Sequence, residues 1–508
     1  MVHNLQVSNG VKTMSDISDL FCYDLPTNPQ PDIGKILVTG ATGYIGGRLV
    51  PELLARGYKV RVMVRSESAE HSERWPESEI VIADALDLES LKKAFEDIHT
   101  AYYLIHSLLL GPKRFESADV MAAVNFRKAA EGKGICRIIY LGGLGDVRTP
   151  LSPHLRSRME VAMELNEGKV PVTILRAAVI LGSGSTSYEL FKNLVKKMPF
   201  VLVPYWVGTE CQPIGIRDVI KYLVGVLEAP ETAGRSFDIG GKDVLTYEKM
   251  MKILADLLGQ KKPFIRTRLS IFTPYAYLAI VLTPVPAPVI WSLLEGIKSR
   301  VVCQNNDIRR IIAFEPLSCR EAIFRAMTQE EQDNVRTRWS DAYPPDYSLA
   351  VKLHDLKRLP KYKTSCSLLT DKDAGSLFKA VCMVGGNEGW LDNNWVWRLR
   401  GMADRLLGGV GVARGRRSSS TLRVNDVIDF WRVEDLKHDR RLLLRAEMLL
   451  PGMAWLEFNI VPEGKNNRLT LNAYYKPRGF LGRIYWYIFL PFHNVIFNGL
   501  LKQIEKRG

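Results

Sequence analysis

Through the first third of the chain, apolar residues gather in short β-branched runs separated by stretches of helical spacing. The runs fall at residues 35–39, 58–64, 79–83, 101–105, 136–141 and 172–176, and each has the length and composition expected of a strand buried on both faces. Strands alternating with helices predict an α/β domain: a doubly wound, mostly parallel sheet with helices on both faces. Ligands on such sheets collect outside the carboxyl ends of the strands. That position singles out Asp84 and Ala85 after the third run, His106 and Ser107 after the fourth, and Gly142 and Gly143 after the fifth. From about residue 183 the alternation loosens, and "QPIGIRDVI" (212–220) and "SFDIGGKDVLTYEKM" (236–250) read as inserts capping the sheet ends.

The most apolar segment, "IFTPYAYLAIVLTPVPAPVIWSLLEGIK" (271–298), is interrupted by Pro274, Pro284, Pro286 and Pro288. Its proline-free parts, 275–283 and 289–298, fall far short of the roughly twenty residues a bilayer span needs. It reads as the wall of an apolar pocket, as a stretch dipping into a membrane surface, or as a helical hairpin in the core. A polar stretch with paired prolines, "EEQDNVRTRWSDAYPPDYS" (330–348), reads as a linker. Beyond it the periodicity changes to alternation. Runs at 426–436, 440–450, 454–464 and 467–477, separated by short turns, predict an antiparallel meander. A long helix is expected after it, within 480–507 and beginning near Pro491. A curved sheet on one long helix would enclose an apolar cavity suited to a flat or greasy ligand. Trp390, Trp395, Trp397, Trp431, Trp455 and Trp486 either line that cavity or fill it.

The first strand, turn and helix carry the sharpest chemistry. "GATGYIG" (40–46) follows the first run at once, and apolar spacing at Leu49, Leu53 and Leu54 continues as a helix, with Pro51 early in it, where a missing N–H costs least. Glycines there let the backbone turn tightly and approach a pyrophosphate, whose charge the helix N-terminus stabilises. Gly40, Thr42, Gly43, Tyr44, Ile45 and Gly46 are therefore candidate dinucleotide-binding residues. A cofactor without a 2′-phosphate usually meets an acid at the end of the second strand. Arg65 stands there instead, with no acid until Glu67. A guanidinium suits a 2′-phosphate, so NADP(H) is favoured over NAD(H). Asp84 and Ala85 would line the adenine, and His106 and Ser107 the nicotinamide side.

A chain of 508 residues is too long for one core, and 46% hydrophobic with 24% charged residues is a soluble globular composition. Residues 1–32, with Pro26, Pro29 and Pro31, read as a loose tail without a signal-peptide core. Residues 33–328 then form the nucleotide domain, 329–348 the linker and 349–508 the second domain. Seven scattered cysteines without metal-ligand spacing read as buried thiols in a reducing, cytoplasmic setting, with no metal site. Net charge is +14, and +11 of it lies in 346–508, where 27 Lys and Arg face 16 Asp and Glu. That field suits an anionic membrane surface or an acidic ligand. No nucleic-acid motif accompanies it.

The motifs "TGATGYIGGRL", "ADALD", "YYLIHS", "LRAAVILGSGS" and "QPIGIRDVI" make residues 33–328 resemble an atypical, extended short-chain dehydrogenase/reductase of the NmrA-like kind. "TRWSDA", "GGNEGW", "ARGRR", "DFWRVE" and the terminal aromatic stretch resemble the DUF2867 proteins fused to such reductases. The resemblance implies a C-terminal α+β helix-grip fold similar to START and Bet v 1 proteins, whose members carry hydrophobic ligands. Reductases of this kind normally present Ser or Thr after the fifth strand and Tyr-x-x-x-Lys on the next helix. Here those slots hold Gly142-Gly143, His154 and Arg158. His154 is then the candidate acid and Arg158 the candidate ribose clamp, which cannot exchange a proton. Without the tyrosine, hydride transfer to a quinone or conjugated alkene survives better than ordinary carbonyl reduction, because the charge delocalises into the acceptor. The expected function is an NADPH-dependent oxidoreductase acting on a hydrophobic small molecule: a quinone, an enone or a lipid-like carbonyl. The other expectation is a non-catalytic protein that holds NADPH as sensor or assembly factor.

Overall fold

The computed structural model describes residues 20–65, 69–107, 115–145, 151–268, 271–331, 337–338, 351–356, 358–385, 390, 401, 404 and 422–508. Strands and helices alternate as the runs predict. They are β1 (Lys35–Val38), α1 (Gly46–Ala55), β2 (Val60–Val64), α2 (Ala69–Arg74), β3 (Glu79–Ile82), α3 (Leu88–Ala94), β4 (Ile98–Tyr103), α4 (Phe115–Lys133), β5 (Arg137–Gly143), α5 (Pro153–Asn166) and β6 (Val172–Ala177). A later strand, β7 (Ser236–Ile239), completes a seven-stranded parallel sheet of order β7-β6-β5-β4-β1-β2-β3. Alternate residues of each strand serve the two faces. Ile36 and Val38 join Leu49, Leu53 and Val62 on one side, while Leu37 joins Met63, Phe95 and Phe126 on the other. The order reverses between β1 and β4, and a ligand crevice opens at such a switch point.

Parts of the two stretches read as capping inserts belong to the sheet and its core instead. Residues 236–239 are β7, paired with β6; its Asp238 is fully buried against Arg176 at 2.7 Å. Residues 216–228 are part of the core. They form a helix, Ile216–Glu228, whose Val219, Ile220, Leu223 and Val224 are wholly buried beside α1 and β6. Its polar residues look like a surface face only until their partners are seen. Asp218 accepts from the Leu317 N–H at 2.9 Å, and Lys221 pairs with Asp24 at 2.7 Å. Helices Thr186–Lys197, Tyr247–Leu257, Phe272–Leu282, Ala287–Ile297 and Cys319–Glu331 build a further apolar core, joined to the sheet domain through Leu155 of α5. The apolar segment 271–298 is thus a helical hairpin, with Ala276, Ala279 and Ile290 fully buried. Of the cysteines, Cys136 is exposed and Cys303 half-buried, whereas the thiols had all been expected inside; the other five are buried, and all seven are free.

The expected loose tail is corrected for residues 20–32; residues 1–19 lie outside the described residues. Glu52 accepts from the backbone N–H groups of Phe21 and Cys22 at 2.7 and 3.1 Å. Glu228 gathers Arg56 at 2.7 Å, the Tyr58 hydroxyl at 3.0 Å and the Thr27 hydroxyl at 2.5 Å. Two buried carboxylates on neighbouring helices thus strap a polar, proline-rich stretch across the sheet domain. Most of the linker, including 339–348, lies outside the described residues.

The second domain runs β8 (Tyr362–Thr370), helix Ala374–Cys382, β9 (Val427–Ile428), β10 (Trp431–Lys437), β11 (Arg441–Ala446), β12 (Gly452–Glu463), β13 (Asn466–Pro477) and a final helix, Gly479–Arg507. The six strands are antiparallel in the order β8-β13-β12-β11-β10-β9, so the first lies beside the last. The final helix starts at Gly479, earlier than expected, and carries Pro491 within it. Pro491 is on the exposed side, where water can satisfy the freed carbonyl. Trp390, Trp431, Trp455 and Trp486 are buried, and Trp395 and Trp397 lie outside the described residues. Trp390 donates to Asp429 at 2.6 Å, Trp455 donates to Glu434 at 3.0 Å, and Trp486 stacks on Tyr475 at 5.6 Å. These four rings are packing elements of the interior.

Because the Glu228 side chain is fully buried, Glu228→Gln leaves the Arg56 cation without its counter-charge. A loss of about 3–5 kcal/mol is expected in urea unfolding. Limited proteolysis within residues 20–33 should accelerate in the same variant.

Candidate functional site

The turn after β1 is made by backbone contact. Gly40 has φ of +64°, and a Cβ on it would stand 2.5 Å from the Leu104 carbonyl oxygen. A Cβ on Gly46 would collide with the Gly40 carbonyl and lie 2.7 Å from Ala41 Cα; at Gly43 it would come within 3.1 Å of that same carbonyl. The Thr39 hydroxyl donates to Tyr102 O at 2.8 Å and ties the ends of β1 and β4 together. Helix α1 then begins at an uncapped Ile45, with no acid in its first turn. Among the described residues, its leading amides and the positive end of its dipole therefore have no side-chain anion of their own, as a phosphate-binding start requires. Thr42 and Gly43 are partly open at the turn, and Ile45 packs on the sheet core. Tyr44 points elsewhere: its ring lies under the Arg48 guanidinium at 4.2 Å, and its buried hydroxyl abuts Gly182.

Arg48 is a residue that sequence reasoning missed. It is only 2% exposed, and its guanidinium donates to the carbonyls of Tyr44, Ser183 and Thr337 at 3.2, 3.0 and 2.9 Å. The Thr337 hydroxyl donates to Tyr44 O at 2.9 Å. A piece of the segment between the domains is thereby pinned to the glycine turn. The available signal was an arginine among the apolar positions of "GGRLVPELL".

Val64 pairs with Ile82, so Arg65 and Asp84 follow the ends of neighbouring strands, both exposed. Asp84 Oδ1 accepts from the Leu86 N–H at 3.0 Å, so this carboxylate shapes its own turn. Ala85 is buried, and its carbonyl accepts from Asn125 of α4 at 3.1 Å.

Beyond β4 and β5 a polar cluster is organised by Asp119 of α4, also missed by sequence reasoning because only the fold brings it to His106. Asp119 is fully buried and accepts three hydrogen bonds: from the Ser107 N–H at 2.8 Å, the Ser157 hydroxyl at 3.1 Å and His106 Nδ1 at 3.2 Å. Burial opposes its charge, but the bonds from His106 and Ser107 and the Arg158 cation outweigh that and hold the carboxyl well below its usual range. His106 keeps 27% of its side chain open, and its ring lies 4.9 Å from that of His154. Desolvation, then the Arg158 charge, lowers the pKa of His106. Desolvation, then His106 and Arg158, lowers that of His154 further. With Nδ1–H directed at Asp119, His106 presents Nε2 as an acceptor.

Arg158 is buried, lies over the Tyr140 ring at 5.2 Å and donates from Nε to the Tyr140 hydroxyl at 2.8 Å. Its terminal nitrogens make only a long 3.4 Å approach to Ile105 O among the described residues, so the fork keeps donor capacity. The glycines in the expected serine slot now have a reason. A Cβ on Gly142 would stand 2.9 Å from the Tyr140 ring; on Gly143 it would stand 3.0 Å from Leu155 and 3.5 Å from Arg158 Cγ. Leu155 crowds that space, and the Arg158 stem lies beside it in ordinary contact. His154, Arg158, His106 and Ser107 therefore form one cluster, and Arg65, Asp84 and Ala85 lie at the other end of the same sheet edge.

A doubly wound sheet with an uncapped glycine turn at its switch point defines a Rossmann-type dinucleotide-binding domain. The chain belongs to the NmrA-like family, an NAD(P)-binding domain of short-chain-dehydrogenase type, matched over residues 33–293. Residues 360–500 match a family described as a protein of unknown function (DUF2867). Relatives include the chloroplastic divinyl chlorophyllide a 8-vinyl-reductase of Zea mays, 26% identical over 253 residues, covering 46% of this chain and 62% of that protein. The ceramide reductase of Caulobacter vibrioides is 27% identical, covering 46% of this chain and 73% of that protein. The mitochondrial NADH dehydrogenase (ubiquinone) 1 alpha subcomplex subunit 9 of Arabidopsis thaliana is 26% identical, covering 56% of this chain and 75% of that protein.

Gly46→Ala meets backbone atoms that cannot swing aside, so dinucleotide affinity should fall at least about tenfold, or ~1.4 kcal/mol, in a fluorescence titration. The depressed histidines give a second expectation. The folded state binds fewer protons than the unfolded chain, so stability present above the ordinary histidine pKa of about 6.5 is lost as pH falls below it. Paired substitution His106→Gln/His154→Gln should flatten that slope in denaturant melts taken across the window.

Proposed function

We propose that the protein is an NADPH-dependent oxidoreductase that transfers a hydride to a hydrophobic acceptor: a quinone, an enone or a lipid-like carbonyl. The residues present fit a dinucleotide. The cradle at Gly40, Gly43 and Gly46 is shaped so that side chains would fill it, and α1 begins without a cap. The pyrophosphate would rest on the first amides of α1, the Arg65 guanidinium would meet the 2′-phosphate, and Asp84 and Ala85 would border the adenine. Arg158 would hold ribose hydroxyls with the donors left on its fork. A bound reduced nicotinamide would supply the hydride.

The single observation that favours a delocalised acceptor is the state of the proton donors. Both histidines are held neutral, and His106 is locked by Asp119 with an acceptor nitrogen outward. The cluster offers orientation but little acid strength, so it suits acceptors that stabilise charge themselves. The names of two relatives agree with that class: one reduces a vinyl group on a chlorophyllide and another is a ceramide reductase. The DUF2867 domain would shelter or deliver the greasy substrate. Its strand order, first beside last with a long terminal helix, supports likeness to the helix-grip fold.

A second reading is that the protein holds NADPH without turnover, as sensor or assembly factor. The glycines, histidine and arginine in place of the usual Ser-Tyr-Lys set favour it, and one relative is named as a subunit of a mitochondrial NADH dehydrogenase (ubiquinone). Stopped-flow oxidation of bound NADPH separates the two. Quinones and enones are expected to outpace simple ketones by about a hundredfold or more, the usual worth of a general acid. NADPH that binds but is oxidised by no acceptor would establish the second reading against the first.

A further inference from the structure

The final helix, Gly479–Arg507, has two apolar faces and only one of them is used. Gly482, Trp486, Phe497, Leu500, Leu501 and Ile504 are buried against the domain. On the other side Leu481, Ile488, Phe492 and Val495 are 72, 57, 57 and 77% exposed. They fall at helical spacing, with Ile484 between the first two, so they form one continuous stripe. Between Arg483 and Lys502 the helix carries no charged residue. Scattered exposed apolar residues are ordinary on a soluble protein, but a row of them marks a contact surface.

Charge decides what covers it. Lys476, Arg478 and Arg483 are exposed around the start of this helix. Arg478 is the N-cap residue, and the first turn has no acid. Cations at a helix N-terminus oppose the dipole, so they do not stabilise the helix; they complement an external anion. The whole 346–508 region carries 27 basic and 16 acidic residues. A second copy would set two such fields against each other, whereas anionic headgroups would neutralise one. The helix is long and apolar enough to cross a bilayer, yet spanning would strip Trp486 and Phe497 from their core. An in-plane pose uses both faces.

The geometry points to this stripe as a surface that beds Leu481, Ile484, Ile488, Phe492 and Val495 into the headgroup boundary of an anionic membrane, with Lys476, Arg478 and Arg483 on the phosphates. This does not rest on the proposed oxidoreductase activity. The test is co-sedimentation of the full chain with phosphatidylcholine vesicles, with and without phosphatidylglycerol. Pelleting is expected with the anionic vesicles only. Ile488→Glu/Phe492→Glu should lower the bound fraction at least about tenfold, and Arg478→Glu/Arg483→Glu should weaken binding and remove its salt dependence. Both variants should keep the wild-type unfolding midpoint, as the residues are exposed. Failure of the wild type to pellet, equal pelleting with neutral vesicles, or variants that bind like wild type would overturn the proposal. So would a wild-type dimer in sedimentation velocity that Ile488→Glu dissolves, which would assign the stripe to a second copy.

Discussion

No methyl group fits between Gly46 and the Gly40 carbonyl, and none fits between Gly40 and the end of β4. That closeness turns the chain from β1 directly into α1 and leaves the uncapped start of the helix above the switch point of the sheet. Everything functional is arranged around it. Arg48 spends its guanidinium on three carbonyls to hold the turn, the loop at Ser183 and Thr337 as one body. A buried cation with three acceptors is a stiff brace, because each bond it loses leaves charge in a poorly solvating interior. The second domain is therefore tethered through a residue that touches the nucleotide turn itself.

At the other end of the sheet edge the same economy of buried charge sets the chemistry. Among the described residues Asp119 is the carboxylate of a cluster with His106, His154 and Arg158, and it is satisfied by Ser107, Ser157 and His106. Burial first, and the Arg158 charge with it, lowers the pKa of both imidazoles, while the Asp119 carboxylate pulls the other way. Gly142 and Gly143, which look like missing catalytic residues in the sequence, sit tight against the Tyr140 ring and Leu155.

Six strands of the sheet and the meander of the second domain were legible because each is a compact apolar run or a clean alternation. β7 was not, since "SFDI" is short and its buried Asp238 reads as polar until Arg176 is seen beside it. The helix Ile216–Glu228 was hidden by Asp218 and Lys221, whose partners Leu317 and Asp24 lie far off in sequence. The same holds for the strap at 20–32, where prolines and polar residues conceal bonds to Glu52 and Glu228. In the site, the glycine turn could be read because its spacing is local. Asp119 and Arg48 could not, because their roles exist only through contacts that folding creates.

We propose that the turn at Gly40–Gly46 receives a pyridine dinucleotide, with Arg65 selecting its phosphorylated form. Isothermal titration calorimetry of the purified chain with NADPH and with NADH tests it most directly. The account predicts one site per chain and tighter uptake of NADPH. Uptake of neither nucleotide would contradict the claim outright, and equal uptake of both would remove the role given to Arg65.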